Sequence, residues 1–500
     1  MSSHLECARD FRSFVRALKE DNDLVEIDEE CDPNLEVGAV IRKAVESDGQ
    51  APLFNKLKGQ NENGLWRILG APCSLRADSK QKFGRLARHV GLQPDAHIKT
   101  IMDRMQAAKA ATPIPPQIVQ TGPCKELRLT ADQIDLNALP APLLHQADGG
   151  KYLQTYGMNV VQSPDGKWVN WSVNRGMVHD GNHITQLLSK SGSIWQIFQM
   201  WRKEGKDMPW ALVFGAPPAA ILAASMPLPD GMSEVDYVGS LTGSPVQVVK
   251  CETNDIFVPA NSEIVFEGYC SITETVPEGP FGEMHGYLFP GAVDRPSFKV
   301  DLITYRENAI MPVCCSGRLT DETQSLGAPV VVAEISSQLK PYDLPITDIW
   351  CPLESQATWL ALRVDTDKLR ALKTTPKEFC RKMGDIVFQT TAARPFHRIL
   401  LVGEDINVYD FRDILWAFCT RCRPGLDEHP FDDVPGYPLV PFMSQGGGNP
   451  LVGGKVVSDC LFPVEYTTGK DWEVADFKNS FPPEIQAKVL DNWELYGYKS

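Results

Sequence analysis

The chain has 500 residues, 43% of them hydrophobic and 23% charged, which is enough apolar material for two or three domains with their own cores. A disordered chain and a small disulfide-stapled scaffold are thereby excluded. Lys and Arg number 49 against 64 Asp and Glu, and the resulting net charge of −15 disfavours nucleic acid as a partner. The thirteen cysteines form an odd, scattered set, which indicates reduced thiols in a cytoplasmic protein.

The N-terminal segment predicts an amphipathic helix and not a secretion signal. Phe11, Phe14, Val15 and Leu18 recur at helical spacing between charged residues, without the basic and then apolar layout of a signal peptide. No apolar run approaches the roughly 20 residues that a transmembrane helix needs. We therefore expect a soluble protein without a membrane partner.

The first two thirds of the chain predict an α/β opening unit followed by a strand-rich domain. Helical patterns at 11–19, 35–46 and 81–90 are mixed with short apolar runs. Strand patterns then follow at close spacing, with Gly and Pro turns and one interrupting helix at 193–203. This density predicts a β-barrel or sandwich. The predicted strands are 157–162, 168–173, 211–215, 245–252, 262–272 and 298–305.

From about residue 327 the pattern alternates between helix and strand, which predicts a second α/β domain with a layered sheet. Its predicted elements are helix 330–339, strand 359–365, helix 376–383, strand 399–403 and helix 412–417. Beyond residue 445 a Gly-rich arm ends in a predicted amphipathic helix at 482–496, whose exposed aromatic side chains suit docking onto a second subunit. The expected fold class is a multidomain α+β or α/β protein divided at 1–325, 326–445 and 446–500, with the barrel at about 115–310.

One segment, residues 277–286, brings two carboxylates and a histidine into a Gly- and Pro-rich turn. Glu278 and Glu283 flank the apolar Phe281, and Met284 follows. Two neighbouring carboxylates in such surroundings can have their pKa values split, so that one serves as a general acid near neutral pH. The alternative is a solvated surface turn.

Two further segments carry polar side chains suited to binding. In residues 169–175 a predicted strand places Asn170, Ser172 and Asn174 on one face, with Arg175 at its exit, and Arg is well shaped to hold a carboxylate with two hydrogen bonds. The alternative is a barrel edge strand with a surface Arg. Residues 223–234 offer loop carbonyls and the carboxylate of Glu234, a combination that suits hard cations.

Together, the motifs NWSVNR (170–175), MPLPDGMSE (226–234) and PEGPFGEMHGY (277–287) closely resemble the UbiD family of decarboxylases, and within it the fungal ferulic acid (cinnamic acid) decarboxylases. The resemblance covers nearly the whole chain. It implies a homodimer with a split β-barrel flavin-binding domain, an α/β dimerisation domain at 326–445 and a C-terminal helical arm.

The resemblance also implies a cofactor and a reaction. The cofactor is prenylated FMN, provided by a flavin prenyltransferase, with its phosphate held through Mn²⁺ and with K⁺ nearby. The reaction is the reversible, non-oxidative decarboxylation of aryl acrylic (cinnamic-type) or related aromatic or unsaturated acids by cycloaddition to the cofactor. Arg175 and Glu278 flank the flavin in this scheme, and Glu283 donates a proton to the substrate carbon.

The resemblance also implies roles for individual residues, which are carried over from the family to the matching positions of this sequence. The implied cofactor-binding residues are Asn170, Trp171, Ser172, Val173, Asn174, Arg175, Gly192, Ser193, Glu234, Thr391 and Arg394. The implied surroundings of the metal ions are Asn170, Trp171, Ser193, Ala223, Ala224, Met226 and Glu234. The implied substrate pocket consists of Met284, Thr323, Gly327, Pro395, Tyr437 and Leu439.

Several positions depart from the family pattern, among them Gly192, where the family commonly has Gln. Ser193 stands where the family has a metal-binding His, so Mn²⁺ binding should be weaker or completed by water. Thr391 stands where a Lys reaches the flavin phosphate, and Arg394 is a candidate replacement. Gly327 stands where a branched apolar residue closes the pocket, which predicts room for a bulkier aryl group, unless Gly327 merely begins a helix.

These departures leave alternatives open. The chain is either an active decarboxylase that holds its cofactor by other contacts, or a cofactor-poor relative with altered or lost activity. A third interpretation is a metal-dependent binding or hydrolytic protein on the same fold, with Asn170, Glu234 and Glu283 around the metal.

Overall fold

The computed structural model describes residues 3–190, 192–228 and 232–498. Its strands, numbered in chain order, are β1 (Leu24–Ile27), β2 (Ala51–Phe54), β3 (Arg67–Gly70), β4 (Gln117–Val119), β5 (Leu127–Thr130), β6 (Tyr152–Gln154), β7 (Met158–Gln162), β8 (Val169–Ser172), β9 (Gly176–Val178), β10 (His183–Gln186), β11 (Met208–Phe214), β12 (Gln247–Lys250), β13 (Phe257–Pro259), β14 (Ile264–Glu278), β15 (Val293–Tyr305), β16 (Ile310–Val313), β17 (Ile346–Trp350), β18 (Trp359–Val364), β19 (Arg398–Val402), β20 (Glu428–Phe431) and β21 (Lys455–Cys460). The helices are α1 (Ser3–Arg9), α2 (Phe11–Glu20), α3 (Glu36–Glu46), α4 (Gly84–His89), α5 (Ile98–Ala110), α6 (Ser193–Glu204), α7 (Pro218–Ala224), α8 (Glu234–Thr242), α9 (Ala328–Leu339), α10 (Thr366–Ala371), α11 (Pro376–Val387), α12 (Phe411–Arg421), α13 (Pro441–Ser444) and α14 (Pro483–Asp491).

The N-terminal region is built on a four-stranded sheet in the order β1-β2-β3-β16. Its last strand, β16, follows the barrel strands in the sequence and pairs in parallel with β3, with Ile310 opposite Arg67. Helix α2 begins at the N-cap Asp10, whose side chain accepts a hydrogen bond from the Ser13 amide. The buried face of α2 packs on this sheet, so the predicted amphipathic helix is confirmed.

A nine-stranded antiparallel sheet forms the strand-rich domain. Its path is β6-β9-β10-β15-β14-β11-β7-β8, with β5 added beside β15, and it curls into a half-barrel. The long hairpin of β14 and β15 pairs from Ile264 opposite Tyr305 to Glu278 opposite Val293. Helix α6 buries Ile194, Ile197 and Phe198 in the core of this domain. A small sheet, β13-β12-β4, lies outside the barrel path.

The second domain contains a five-stranded sheet in the order β17-β18-β19-β21-β20. Strands β18, β19 and β21 run parallel, as expected for strands connected by helices. Helix α11 begins at a capping box formed by Thr375 and Glu378, with Pro376 in the first turn. The multidomain mixed α/β class predicted from the sequence is confirmed.

Several local predictions require correction. The segment 277–286 is not entirely a turn, because Glu278 is the last residue of β14 and pairs with Val293. Ala223 and Ala224 do not lie in a loop: the Ala-rich run from Pro218 forms α7, which ends at Ala224. In the motif 226–234, Pro229, Asp230 and Gly231 lie outside the described residues.

The C-terminal helix is shorter than the sequence predicts, since α14 ends at Asp491 and not at 496. Every side chain of α14 is at least partly exposed. Among the residues that the structure describes, no helix is both long enough and apolar enough to cross a membrane.

Candidate active site

One guanidinium joins the two carboxylates singled out from the sequence. Arg175 lies between β8 and β9, and it donates from Nε to Glu278 Oε1 at 2.9 Å and from Nη2 to Glu278 Oε2 at 3.1 Å. Its Nη1 donates to Glu283 Oε1. Burial disfavours the charge, but the hydrogen bonds to Glu278 and the charges of both carboxylates outweigh it and raise the pKa of Arg175. The guanidinium therefore stays charged at the centre of the group.

The two carboxylates have different surroundings. The Glu278 side chain is 2% exposed and also accepts a hydrogen bond from the Tyr152 hydroxyl at 2.9 Å. The Glu283 side chain is 27% exposed, and its described side-chain partner is Arg175. Glu278 is thus fixed in place, whereas Glu283 is accessible to a bound substrate.

Two aromatic rings lie beside this group of charged side chains. The ring of Phe281 lies 4.9 Å from the Arg175 guanidinium carbon and 4.3 Å from the ring of Tyr152, measured to the ring centroids. Tyr152 was missed by the sequence analysis, because a tyrosine in a short apolar strand carries no signal of a partner 126 residues away.

Strand β8 and its exit present a row of unpaired polar atoms. Asn170 Oδ1, Ser172 Oγ and Asn174 Oδ1 are buried and have no hydrogen-bond partner within the described part of the chain. These are the alternate positions that the sequence places on one face. Because a buried polar atom without a partner costs roughly 1–3 kcal/mol, a row of three indicates a site for a polar ligand.

At the start of this row Asn170 contacts Glu234. Asn170 Nδ2 donates to Glu234 Oε1 at 2.9 Å, and the Trp171 amide donates to Glu234 Oε2 at 3.3 Å. Glu234 is 6% exposed, and burial raises its pKa to about 7 despite these hydrogen bonds. A buried carboxylate beside a free amide oxygen fits a cation, which would supply the missing positive charge.

The other predicted metal-site residues lie on elements that pack against β8. Helix α6 opens with Ser193 after its N-cap Gly192, and α7 ends at Ala223 and Ala224, with the Met226 amide donating to the Ala223 carbonyl at 3.0 Å. No group of three or more His, Cys, Asp and Glu suited to a metal is found among the described residues. A metal here would be held by a mixed set of amide, hydroxyl, carboxylate and carbonyl oxygens.

Thr391 and Arg394 lie in the second domain, in the turn between α11 and β19. Thr391 is exposed, and its carbonyl accepts from the Arg394 amide at 3.4 Å. The Arg394 carbonyl accepts from Lys455 Nζ at 2.9 Å. These contacts stay within the second domain, so the structure does not join Thr391 and Arg394 to the polar row.

Three predicted pocket residues interact with residues 283–285 or belong to that segment. Burial and the charge of Glu283 raise the pKa of Tyr437 to about 12, so Tyr437 lies near that carboxylate. The Met284 carbonyl accepts from Gln324 Nε2 at 3.2 Å. Leu439 is exposed to 40%, and its backbone contacts His285, whose pKa is lowered by burial.

Gly327 and Thr323 lie together on a π-helical turn, Thr323–Gly327, that leads into α9. A Cβ atom at Gly327 would have Thr323 Cγ2 as its nearest neighbour, at 4.0 Å, so a side chain there would enter open space. Whether this space belongs to a substrate pocket stays a prediction, since Gly327 also precedes α9 directly. Pro395 is partly buried beside Arg394.

Comparison with known proteins places these features in a family. Three family profiles match: the N-terminal domain (residues 15–105), the Rift-related domain (117–319) and the C-terminal domain (324–460) of 3-octaprenyl-4-hydroxybenzoate carboxy-lyase, UbiD. The chain belongs to the UbiD family of carboxy-lyases. Ferulic acid decarboxylase 1 of Saccharomyces cerevisiae is 49% identical over 99% of each chain. Pyrrole-2-carboxylic acid decarboxylase of Pseudomonas aeruginosa is 38% identical over 98% of this chain and 99% of that protein.

Solved structures show the same fold for this UbiD-family chain. The UbiD-class enzyme HmfF of Pelotomaculum thermopropionicum in complex with FMN superposes with a TM-score of 0.79 at 23% identity, covering 96% of this chain and 99% of that one. An evolved dimeric form of HmfF in complex with prFMN gives a TM-score of 0.76 at 22% identity, covering 97% and 100%.

Proposed function

We propose that this UbiD-family carboxy-lyase removes CO₂, reversibly and without net oxidation, from aryl acrylic (cinnamic-type) or related aromatic or unsaturated carboxylic acids. The observation that carries the proposal is the contact of Arg175 with both Glu278 and Glu283, next to the polar row of β8. The names of the relatives support the substrate class, since they act on ferulic acid and pyrrole-2-carboxylic acid.

The cofactor we propose is prenylated FMN, supplied by a flavin prenyltransferase. When bound, it would supply the electron sink that no side chain offers, by cycloaddition chemistry. The HmfF complexes with FMN and prFMN support this choice. Asn170, Ser172 and Asn174 fit it because each carries a buried polar atom without a partner in the described part of the chain. The proposed cofactor-binding residues also include Trp171 on β8, Val173 directly after β8, and Gly192, the N-cap of α6.

Two cations complete the proposed cofactor site. Asn170 and Glu234, which contact each other, would hold Mn²⁺, and Ser193 would contribute a hydroxyl or a bound water in place of imidazole. Carbonyl oxygens of Trp171, Ala223, Ala224 and Met226 are assigned to K⁺. From the second domain, Arg394 provides the positive charge that the uncharged Thr391 cannot.

The chain's own residues manage orientation and one proton. Arg175 stays charged and orients the substrate or the flavin, while Glu278, which accepts a hydrogen bond from Tyr152, holds the guanidinium in place. Glu283, once it has taken up a proton from solvent, donates that proton to the carbon that has lost CO₂ and returns to the carboxylate paired with Arg175, because its side chain is the accessible acid of the pair. In the carboxylation direction the same carboxylate removes that proton.

The test is coexpression with a flavin prenyltransferase, followed by the absorbance spectrum and mass of the bound cofactor and by CO₂ release from cinnamate and larger aryl acrylates. We expect bound prenylated flavin and turnover. Glu283→Gln should keep the flavin and lose at least about 100-fold in kcat. Glu274→Gln, at an exposed position of β14, is the matched control and should retain full activity.

Other outcomes would favour the alternatives. Colourless and inactive protein would support the alternative of a cofactor-poor relative. The presence of Ser193 in place of a metal-binding His, and of Thr391 in place of a Lys, is the observation that favours this alternative. Activity that needs metal but no flavin would support a hydrolytic or binding protein using Asn170, Glu234 and Glu283.

A further inference from the structure

The loop that carries Glu283 rests on a second segment, residues 145–149. The Gly282 amide, directly before Glu283, donates to Asp148 Oδ1 at 2.8 Å. The Gly149 amide donates to the Pro280 carbonyl at 2.7 Å. The Asp148 side chain is fully buried, so the first of these hydrogen bonds is shielded from water.

Two glycines allow the segments to approach this closely. A Cβ atom at Gly149 would lie 2.0 Å from the Gly279 carbonyl oxygen, and one at Gly282 would lie 2.5 Å from His145 Nδ1. Neither position has room for a side chain. The backbone of the Glu283 loop is therefore in direct contact with the 145–149 segment.

The second oxygen of Asp148 is held by a histidine. Asp148 Oδ2 accepts from the His145 amide at 3.0 Å and from His145 Nδ1 at 3.1 Å, and His145 Nε2 lies 3.6 Å from Cys315 Sγ. Burial would lower the pKa of His145, but the hydrogen bonds to Asp148 and Cys315 raise it to about 10. At neutral pH an imidazolium thus pairs with Asp148, and charge-assisted hydrogen bonds of this kind are strong.

The loop carries two residues that contact Arg175, and movement of the loop would displace both of them. Phe281 packs under the Arg175 guanidinium, and Glu283 accepts from its Nη1. We propose that Asp148, paired with His145, is a positioning residue that fixes the loop carrying Glu283. The catalytic part of this proposal rests on the proposed function, whereas the effect on the loop does not.

The experiment compares Asp148→Ala and Asp148→Asn with the parent. The asparagine oxygen can still accept from the Gly282 amide, whereas alanine cannot. The matched control is Asp180→Ala, since Asp180 forms the same kind of Asp–His pair with His183, at 3.0 Å, on a more exposed loop. The measurements are amide hydrogen exchange of residues 279–286 and the kcat and KM for CO₂ release.

We expect Asp148→Ala to accelerate exchange in this loop and to lower kcat by roughly 10- to 100-fold with little change in KM, as expected for a displaced catalytic group. Asp148→Asn should restore part of both, because it keeps the hydrogen bond from the Gly282 amide but loses the charge-assisted pair with His145. Asp180→Ala should match the parent. Gly282→Ala, whose added Cβ would clash with His145, should reproduce the effects of Asp148→Ala. It replaces Asp148→Ala in the test if the Asp148→Ala protein does not fold.

Unchanged loop exchange in Asp148→Ala and Gly282→Ala would overturn the proposal. Faster amide exchange in the loop with an unchanged kcat would also overturn it. A loss of kcat with faster exchange throughout the chain would do the same, because it would indicate general destabilisation. If the parent itself released no CO₂, the proposed function would fail, and loop exchange alone would decide whether Asp148 holds the loop.

Discussion

A buried lysine near the proposed phosphate end couples stability to pH. Lys455 is 2% exposed, donates to the carbonyls of Ala393 and Arg394, and lies over the ring of Phe388. Burial and the charge of Arg394 lower its pKa to about 7. Between pH 7 and 10 the unfolded chain therefore binds more protons at this residue than the folded chain, so its contribution to stability rises with pH.

Replacing this lysine should remove that dependence. We expect the Tm of Lys455→Met, relative to the parent, to fall by a few degrees as the pH rises from 7 to 10. Lys299→Met, at a half-exposed site, is the control and should keep a constant difference. Calorimetry at three pH values makes the measurement, and a difference that grows in the opposite direction would contradict the assignment.

Single residues of the site divide into those that the sequence could reveal and those that it could not. Glu278 and Glu283 were predicted because they lie in one short Gly- and Pro-rich segment, and Arg175 because it ends a strand with alternating polar side chains. Tyr152 and Asp148 were not, because their partners lie 126 and 134 residues away. Contacts of such separation are decided by the sheet topology and leave no local pattern.

At the scale of elements, the π-helical turn before α9 is the feature that shapes the proposed substrate pocket. Thr323 and Gly327 stand on it, and Gln324 Nε2 donates both to the Met284 carbonyl and to Gln356 Oε1, at 3.2 and 2.8 Å. Gln324 thus ties the Glu283 loop to the second domain.

Filling the space at Gly327 should change substrate preference. For Gly327→Val we expect kcat/KM on a bicyclic aryl acrylate to fall by roughly 10- to 200-fold relative to cinnamate, as the branched side chain occupies the open volume. Gly447→Val, at an exposed position with open space around it, should leave the ratio unchanged. Equal loss on both substrates would show that Gly327 serves the helix start and not the pocket.

Element boundaries were predictable where local chemistry marks them. The start of α11 follows from its Thr-Pro and Glu capping residues. The hairpin of β14 and β15 extends beyond the predicted strands 262–272 and 298–305 because its outer half is polar and lacks the apolar alternation of the inner half. Pairing between the two strands maintains it.

At the scale of the whole molecule, the C-terminal arm leaves apolar side chains uncovered. Large exposed side chains follow one another along it, namely Phe477, Phe481, Ile485, Leu490, Trp493, Leu495, Tyr496 and Tyr498. Contiguous patches of this kind indicate an interaction surface. We propose that the arm docks onto a second copy of the chain in a homodimer.

Charge on the arm should weaken that dimer. We expect Leu490→Asp combined with Leu495→Asp to raise the dimer dissociation constant by at least about 10-fold, because burying an unpaired carboxylate is costly. Lys488→Asp, on the same helix, is the control for added charge. Sedimentation velocity over a range of concentrations measures the dissociation constant of both variants. An unchanged dissociation constant in the double variant would show that the arm is not part of the interface.

The pairing of β16 with β3 also constrains how the chain is made. Strand β3 ends at Gly70, and its parallel neighbour begins at Ile310, so the sheet cannot be completed until the whole barrel has left the ribosome. At ~5–20 residues per second, this delay of about 240 residues lasts on the order of 10 to 50 s. During synthesis, β3 therefore presents an unpaired edge that only chaperones or the nascent chain itself can shield.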